Sequence, residues 1–285
     1  MPAVAVVTGA SSGIGKAAAL ALAAQGWRII GIGRDAGRSA AAEAEIRAAS
    51  RTGQVTFLRA DLSLMADTAR VADEIAARTD RVDILVNNAG GMAKTQIITA
   101  EGFDENFASN HLGPFLLTVK LLPLLRHAAS VAPKGSVRIL NTSSDAGEMI
   151  PGLPWDDLQL LRNFNSGRSY CNVKLANVMF ARGLAKRLAA DGIVAHAMHP
   201  GYVDSNFFNT APEGAQEHMR KLKGQTPEEG ADTLVWLATS EEGGQSSGGY
   251  FYQRKPRAPN PVAEDDAAVE RLWAESEKLL SDIAV

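Results

Sequence analysis

Tyr170 and Lys174 stand four residues apart in a stretch, Ser169–Asp191, whose apolar positions recur with helical period. That spacing puts a phenol and an ammonium on one helix face, within reach of a common ligand. A phenol titrates near ~10 and is a poor proton donor or acceptor at neutral pH. A neighbouring cation favours the phenolate and lowers that value, so the pair has the makings of an acid/base at a bound oxygen. The spacing alone also fits any solvated helix face. Ser143 and Ser144 follow the apolar run Val137–Thr142. Their hydroxyls are suited to bonding a reacting oxygen, or to ordinary turn chemistry. Thr8-Gly9-Ala10-Ser11-Ser12-Gly13-Ile14-Gly15 follows an apolar run and precedes a helical stretch. Glycines there permit a tight turn and close approach of backbone N–H groups to a pyrophosphate, and a helix N-terminus favours its charge.

These groups need elements to hold them. Ala3–Thr8, Arg28–Gly33, Val55–Ala60, Val82–Asn87, Val137–Thr142, Val194–His199 and Gly249–Gln253 read as strands. Gly13–Gln25, Ser39–Ser50, Met65–Thr79, Glu101–Ala129, Ser169–Asp191, Pro227–Thr239 and Val262–Leu280 read as helices. The alternation predicts repeated β-α-β units and a parallel sheet of about seven strands with helices on both faces. Runs such as Ile84-Leu85-Val86 fit a sheet buried on both sides. Such sheets take ligands beyond the carboxyl ends of their strands, where Ser143 and Ser144 fall. Asn110 lies inside the long helix after the fourth strand, an unfavoured place for Asn on propensity alone.

The Thr-Gly-x-x-x-Gly-x-Gly spacing of Thr8–Gly15 resembles that of the short-chain dehydrogenase/reductase superfamily. Further motifs match in order: Asp61-Leu62, Asn87-Asn88-Ala89-Gly90, Asn141-Thr-Ser-Ser144-Asp-Ala-Gly147, Tyr170-x-x-x-Lys174 and Pro200-Gly201-Tyr202-Val203. The resemblance implies a doubly wound Rossmann-type α/β domain. It implies dinucleotide contacts at Gly9, Ser11, Ser12, Gly13, Ile14, Gly15, Asp61, Leu62, Asn88, Ala89, Gly90 and Val203, with Tyr170 and Lys174 at the nicotinamide ribose. It implies a catalytic set of Asn110, Ser144, Tyr170 and Lys174, with Ser143 as the fallback for Ser144. In that set the nicotinamide supplies hydride, Ser144 polarises the substrate oxygen and Tyr170 protonates it. Lys174, Asn110 and a water then resupply the proton. Tyr170-Cys-Asn-Val-Lys174-Leu-Ala-Asn177-x-x-Phe180 is similar to the retinol dehydrogenase-like and protochlorophyllide reductase-like branch. Val173 departs from the Ser usual there.

Where family members that prefer NAD carry an acidic residue, this chain has Gly33 followed by Arg34. A small residue beside a guanidinium suits a 2′-phosphate, so NADP(H) is the expected cofactor. Lys16 is a candidate for added positive charge. A slip of two positions would instead make Asp35 the acidic ribose reader, and Arg34 also fits an ordinary turn. The expected substrate is a fairly apolar carbonyl or alcohol compound. It would meet segments 145–167 (Met149, Ile150, Leu153, Pro154, Trp155, Leu158) and 204–225 (Phe207, Phe208, Met219), whose apolar residues equally suit plain packing. Reduction of an activated C=C bond is the rival reaction, and a non-catalytic nucleotide-binding protein the rival class.

The chain has 285 residues and a net charge of −3 from 29 basic and 32 acidic side chains. That balance argues against nucleic-acid binding. One cysteine, Cys171, excludes an intrachain disulfide and a multi-cysteine metal site, and no metal is expected. No apolar run approaches the ~20 residues of a membrane span. With no leader-like segment before Ala3, a cytoplasmic protein is expected. One domain over 1–285, with 254–285 as a C-terminal arm, fits this pattern. A homo-oligomer is compatible with it.

Overall fold

The computed structural model describes residues 2–204, 211–221, 224–281 and 283. Its strands arise where the apolar runs are. β1 (Val4–Thr8), β2 (Arg28–Gly33), β3 (Val55–Arg59), β4 (Ile84–Asn87), β5 (Arg138–Thr142), β6 (Val194–Met198), β7 (Tyr250–Tyr252) and β8 (Lys255–Pro256) form one sheet in the order β3-β2-β1-β4-β5-β6-β7-β8. The first seven pair in parallel. The chain direction reverses only at β7/β8, a short hairpin within the expected surface arm. One strand more than expected is therefore present. It is two residues long with an exposed proline, too short and too polar to read from an apolar pattern.

Helices cover both faces. α1 (Gly13–Ala24), α2 (Ala36–Ala49) and α8 (Pro227–Thr239) lie on one side, where Leu22, Ile46 and Leu234 meet Val7, Ile29 and Val86 of the sheet in one core. α3 (Met65–Ala76), α5 (Gly113–Val131) and α6 (Ser166–Arg187) lie on the other. There Val71, Phe115 and Phe180 pack with Val6, Leu85 and Ile139. α9 (Asp266–Ser281) adds Trp273 to that second core and closes over α6. α7 (Glu213–Arg220) falls in the segment expected to be a substrate loop.

The long helix expected over Glu101–Ala129 is broken. Residues 101–104 turn through Gly102, whose φ of +86° is left-handed and suits glycine. Asp104 then caps a short helix, α4 (Glu105–Phe107), by accepting from Phe107 N–H at 3.0 Å. A π-turn follows at Ala108–Leu112 before α5 begins. In it Gly113 N–H reaches back five residues to the Ala108 carbonyl. Pro114 has no N–H, so the Asn110 carbonyl lacks its ordinary donor four residues on. α6 starts three residues before expectation, because Asn165 caps it by accepting from Arg168 N–H.

Candidate active site

The Gly-rich turn sits at the carboxyl end of β1, next to β4, where the strand order changes direction. Gly9 (φ +67°) and Gly13 (φ +53°) take left-handed backbone. A Cβ on Gly15 would stand 2.4 Å from the Gly9 carbonyl and 2.5 Å from Asn88 Nδ2. The turn is thus folded too tightly for side chains. Ser12 takes the cap position of α1, yet among the described residues its side chain caps nothing, and the first turn carries no acid. The first N–H groups of a twelve-residue helix consequently face outward with their partial positive charge available, which fits a dinucleotide phosphate. Ser11 lies beside Gly33, and Ile14 approaches Val203 across Gly230 of α8. The turn, the end of β2 and the loop after β6 are thereby gathered around one crevice.

Thr8, the first residue of the Gly-rich motif, anchors the crevice. Its hydroxyl donates to the Val86 carbonyl at 3.2 Å and accepts from the N–H groups of Asn88 and Ala89, both at 2.9 Å. Asn88 donates back to the Thr8 carbonyl and accepts from Thr142 Oγ1. Three strand ends, β1, β4 and β5, are held in register by these two side chains. Ala89 lies within van der Waals reach of Gly9, and Gly90 leaves room for Asn110, whose Oδ1 would meet a Cβ at 2.2 Å.

Past the end of β3, Asp61 Oδ1 accepts from Ser63 N–H and Oγ. Arg34 is exposed and paired with Asp61 Oδ2 at 3.5 Å and Glu105 Oε1 at 3.3 Å. Leu62 is buried, and its carbonyl passes so close to α5 that only Gly113 fits opposite it. Lys16, the candidate for added positive charge, pairs with Glu45 of α2 at 2.8 Å. Asp35 caps α2, accepting from Arg38 N–H at 2.8 Å. That bond, above all, holds its carboxyl below the ordinary range.

The four expected catalytic residues converge at the ends of β4 and β5. Tyr170 and Lys174 share one face of α6, with Lys174 Nζ 5.4 Å from the centre of the Tyr170 ring. Tyr170 bonds to Ser144 through their hydroxyls. Ser144 lies where β5 passes into a 3₁₀ turn (Asp145–Glu148) and accepts from Ala146 N–H at 3.2 Å. Ser143 is separate from this group. It is buried, and it donates to the Lys174 carbonyl at 2.6 Å, so its hydroxyl is already committed to holding α6. Lys174 Nζ lies 3.4 Å from the Thr142 carbonyl. Burial lowers its pKa to about 8. Desolvation pushes the Tyr170 phenol up, the Ser144 hydrogen bond opposes this, and the charge of Asp145 adds to it. The lowering expected from Lys174 is therefore outweighed here by burial.

Asn110 occupies the π-turn, a break in helical regularity that often marks a functional position. Its Nδ2 donates to the Gly91 and Asn106 carbonyls. Asn106 in turn donates to Ser169 Oγ at 2.7 Å, beside Tyr170. Asn110 Oδ1 is buried with no partner among the described residues. Asn106 and Asp145 carry no motif signal and were not legible as site residues.

The segment 145–167 uses its apolar side chains mainly for packing. Leu153, with Ile150, Trp155 and Leu158, joins the core shared by α6 and α9, whereas Met149 is largely exposed. Arg162 pairs with Asp157. Cys171 is half-buried, and burial pushes its thiol up. Phe207, Phe208 and the Met219 side chain lie outside the described residues. Among the described residues no group of His, Cys, Asp and Glu is arranged to hold a metal, and no helix is long and apolar enough to cross a membrane.

Residues 3–216 match the profile of the short chain dehydrogenase family. Human retinol dehydrogenase 13 is 38% identical over 283 residues, covering 96% of this chain and 83% of that protein. Among solved structures, the Pseudomonas aeruginosa RhlG/NADP active-site complex superposes with a TM-score of 0.70 at 27% identity, over 87% of this chain and 93% of that one. The 3-ketoacyl-(acyl-carrier-protein) reductase from Brucella melitensis, complexed with NADH, gives 0.68 at 25% identity, over 87% and 95%.

Proposed function

The chain belongs to the short-chain dehydrogenase family, and from that premise we propose that it is an NADP(H)-dependent reductase or dehydrogenase of a fairly apolar carbonyl/alcohol pair, with Tyr170 as acid/base. One observation carries the reading: the Tyr170 hydroxyl bonds to Ser144 while the buried Lys174 ammonium lies over its ring. The Gly9–Gly15 turn and the uncapped N-terminus of α1 would hold the pyrophosphate of a dinucleotide, whose nicotinamide would supply the hydride chemistry. Ser144 donates to the substrate oxygen and steadies charge that develops there. Tyr170 Oη gives that oxygen a proton in reduction and takes it in oxidation. Such positioned acid/base help is worth about 10²–10⁴-fold. Lys174 Nζ and a water at Asn110 Oδ1 restore the proton.

The cofactor preference rests on the end of β2. Gly33 leaves no room for an acidic side chain, since even a Cβ would meet Ser39 Oγ at 2.4 Å. Asp35 is engaged as the cap of α2. Arg34 is held at the surface by side-chain carboxylates alone and can exchange them for a phosphate. The apolar substrate class is supported by Met149, which stays exposed at the end of the 3₁₀ turn that follows Ser144.

Tyr170→Phe tests this assignment. The variant is expected to bind NADPH like the wild type and to lose nearly all turnover of ketones and alcohols. Wild-type turnover in that variant would overturn the acid/base role. Product analysis with enones separates carbonyl from alkene reduction.

A further inference from the structure

Beside the catalytic serine stands a carboxylate that the reaction scheme does not use. Ser144 Oγ donates to Asp145 Oδ1 at 3.1 Å. The other oxygen, Asp145 Oδ2, lies 3.5 Å from His199 Nε2. His199 is buried, its ring lies on Tyr252 at 4.8 Å between centroids, and its Nδ1 has no partner among the described residues. A buried imidazole thus stands against a half-exposed carboxylate that lies one hydroxyl away from the Tyr170 phenol.

We propose, building on the oxidoreductase reading above, that Asp145, held by His199, is a positioning residue that keeps Tyr170 in its acid form and so sets the pH window in which this site protonates a carbonyl oxygen. The Asp145 charge opposes a second negative charge on Tyr170, and the hydrogen bond from Ser144 to Asp145 Oδ1 fixes where that charge stands.

The other charged groups nearby do not cancel this carboxylate. Cys171 and Lys174 face Tyr170 from its own helix. Around His199 and Asp145, the hairpin side contributes Tyr250, Tyr252 and Arg257, and the 3₁₀ turn contributes Glu148. Arg257 is engaged by Glu148 through two bonds at 2.7 and 2.8 Å, so its charge is already matched. Burial, chiefly, lowers the His199 pKa, which leaves it a neutral donor rather than a counter-cation at neutral pH.

The test is the pH profile of Asp145→Asn in both directions, beside ultraviolet difference titration of the phenolate, with Tyr170→Phe identifying its signal. A unit charge at this range moves a pKa by on the order of one unit. The alkaline-rising limb of alcohol oxidation should therefore move down by about one pH unit, making oxidation roughly tenfold faster below the limb. Ketone reduction should begin to fall at correspondingly lower pH. His199→Phe keeps the ring on Tyr252 while freeing the carboxylate, and should give part of the same shift. A variant slower in both directions with an unmoved limb and an unmoved Tyr170 titration would overturn the proposal and leave the oxidoreductase reading standing. Absence of any nicotinamide-dependent turnover in the wild type would overturn both.

Discussion

The Ser143 hydroxyl donates to the Lys174 main-chain carbonyl at 2.6 Å, which pins the carboxyl end of β5 to the middle of α6. Adjacent Ser144 bonds instead to Tyr170 and Asp145. Two neighbouring serines therefore have separable roles, one anchoring the helix and one facing the chemistry. Ser143→Ala removes a buried hydrogen bond while the Lys174 carbonyl keeps its helical donor, and should cost about 0.5–1.5 kcal/mol of stability with turnover only modestly lower. Ser144→Ala should leave the melting temperature near that of the wild type and lower kcat by roughly 10²–10³-fold. Thermal melts and steady-state rates on both variants decide it. A reversed pattern would exchange the two assignments.

Arg34 meets Asp61 and Glu105 in exposed ion pairs, which are worth at most about 1 kcal/mol each. A phosphate bonded to a guanidinium is worth about 1.5–3 kcal/mol. Arg34→Ala should accordingly raise KM for NADPH by roughly 10–150-fold and leave KM for NADH nearly unchanged. Glu105→Gln releases Arg34 from one competitor and should lower KM for NADPH a few-fold. Equal effects of Arg34→Ala on both cofactors would remove the basis for the NADP(H) preference.

Burial lowers the Lys174 pKa to about 8, below the ~10.4 of an unfolded lysine. Below pH 8 both states hold the proton and the folded protein carries the full cost of the buried ammonium. Between pH 8 and ~10.4 the unfolded state binds more protons, so this residue's contribution to stability rises with pH. Denaturant melts of wild type and Lys174→Met should differ by a constant amount below pH 8, with the wild type gaining on the variant above it. A flat difference to pH 10 would contradict the assignment. Turnover in the variant should be lost at every pH.

Trp273 of α9 packs edge-on against Phe115 at 4.7 Å and receives the Arg187 guanidinium at 3.8 Å. Trp273→Ala should cost about 3–5 kcal/mol. Ser276 accepts or donates at His111 Nε2 over 2.8 Å inside the same core, and Ser276→Ala should cost about 1–3 kcal/mol by leaving the imidazole unpaired. Because His111 adjoins Asn110 in the π-turn, kcat should fall more than KM changes. Urea melts with parallel kinetics test both parts.

The strands and most helices were legible because they depend on local pattern: apolar runs for β1 to β6, helical period for α1, α3 and α8. The π-turn within the long helix after β4 was not legible because it depends on two neighbours, Gly113 and Pro114, whose effect appears only once the π-bond to Ala108 is drawn. Of the site, Tyr170, Lys174, Ser144 and Asn110 were legible through spacing that matches a family. Asp145 and Asn106 were not, because their roles come from residues distant in sequence, His199 and Ser169. The partner of Lys16 was not legible for the same reason: Glu45 stands on another helix.

The bond between His111 and Ser276 spans 165 residues. During synthesis the Rossmann core and both catalytic helices leave the ribosome well before α9 does. Until then His111 and the aromatic face of α5 and α6 stay uncovered, next to the turn that carries Asn110. The proposed relay at Asn110 is thus buttressed only once α9 has emerged, and a chain that has folded its sheet without α9 still lacks that support.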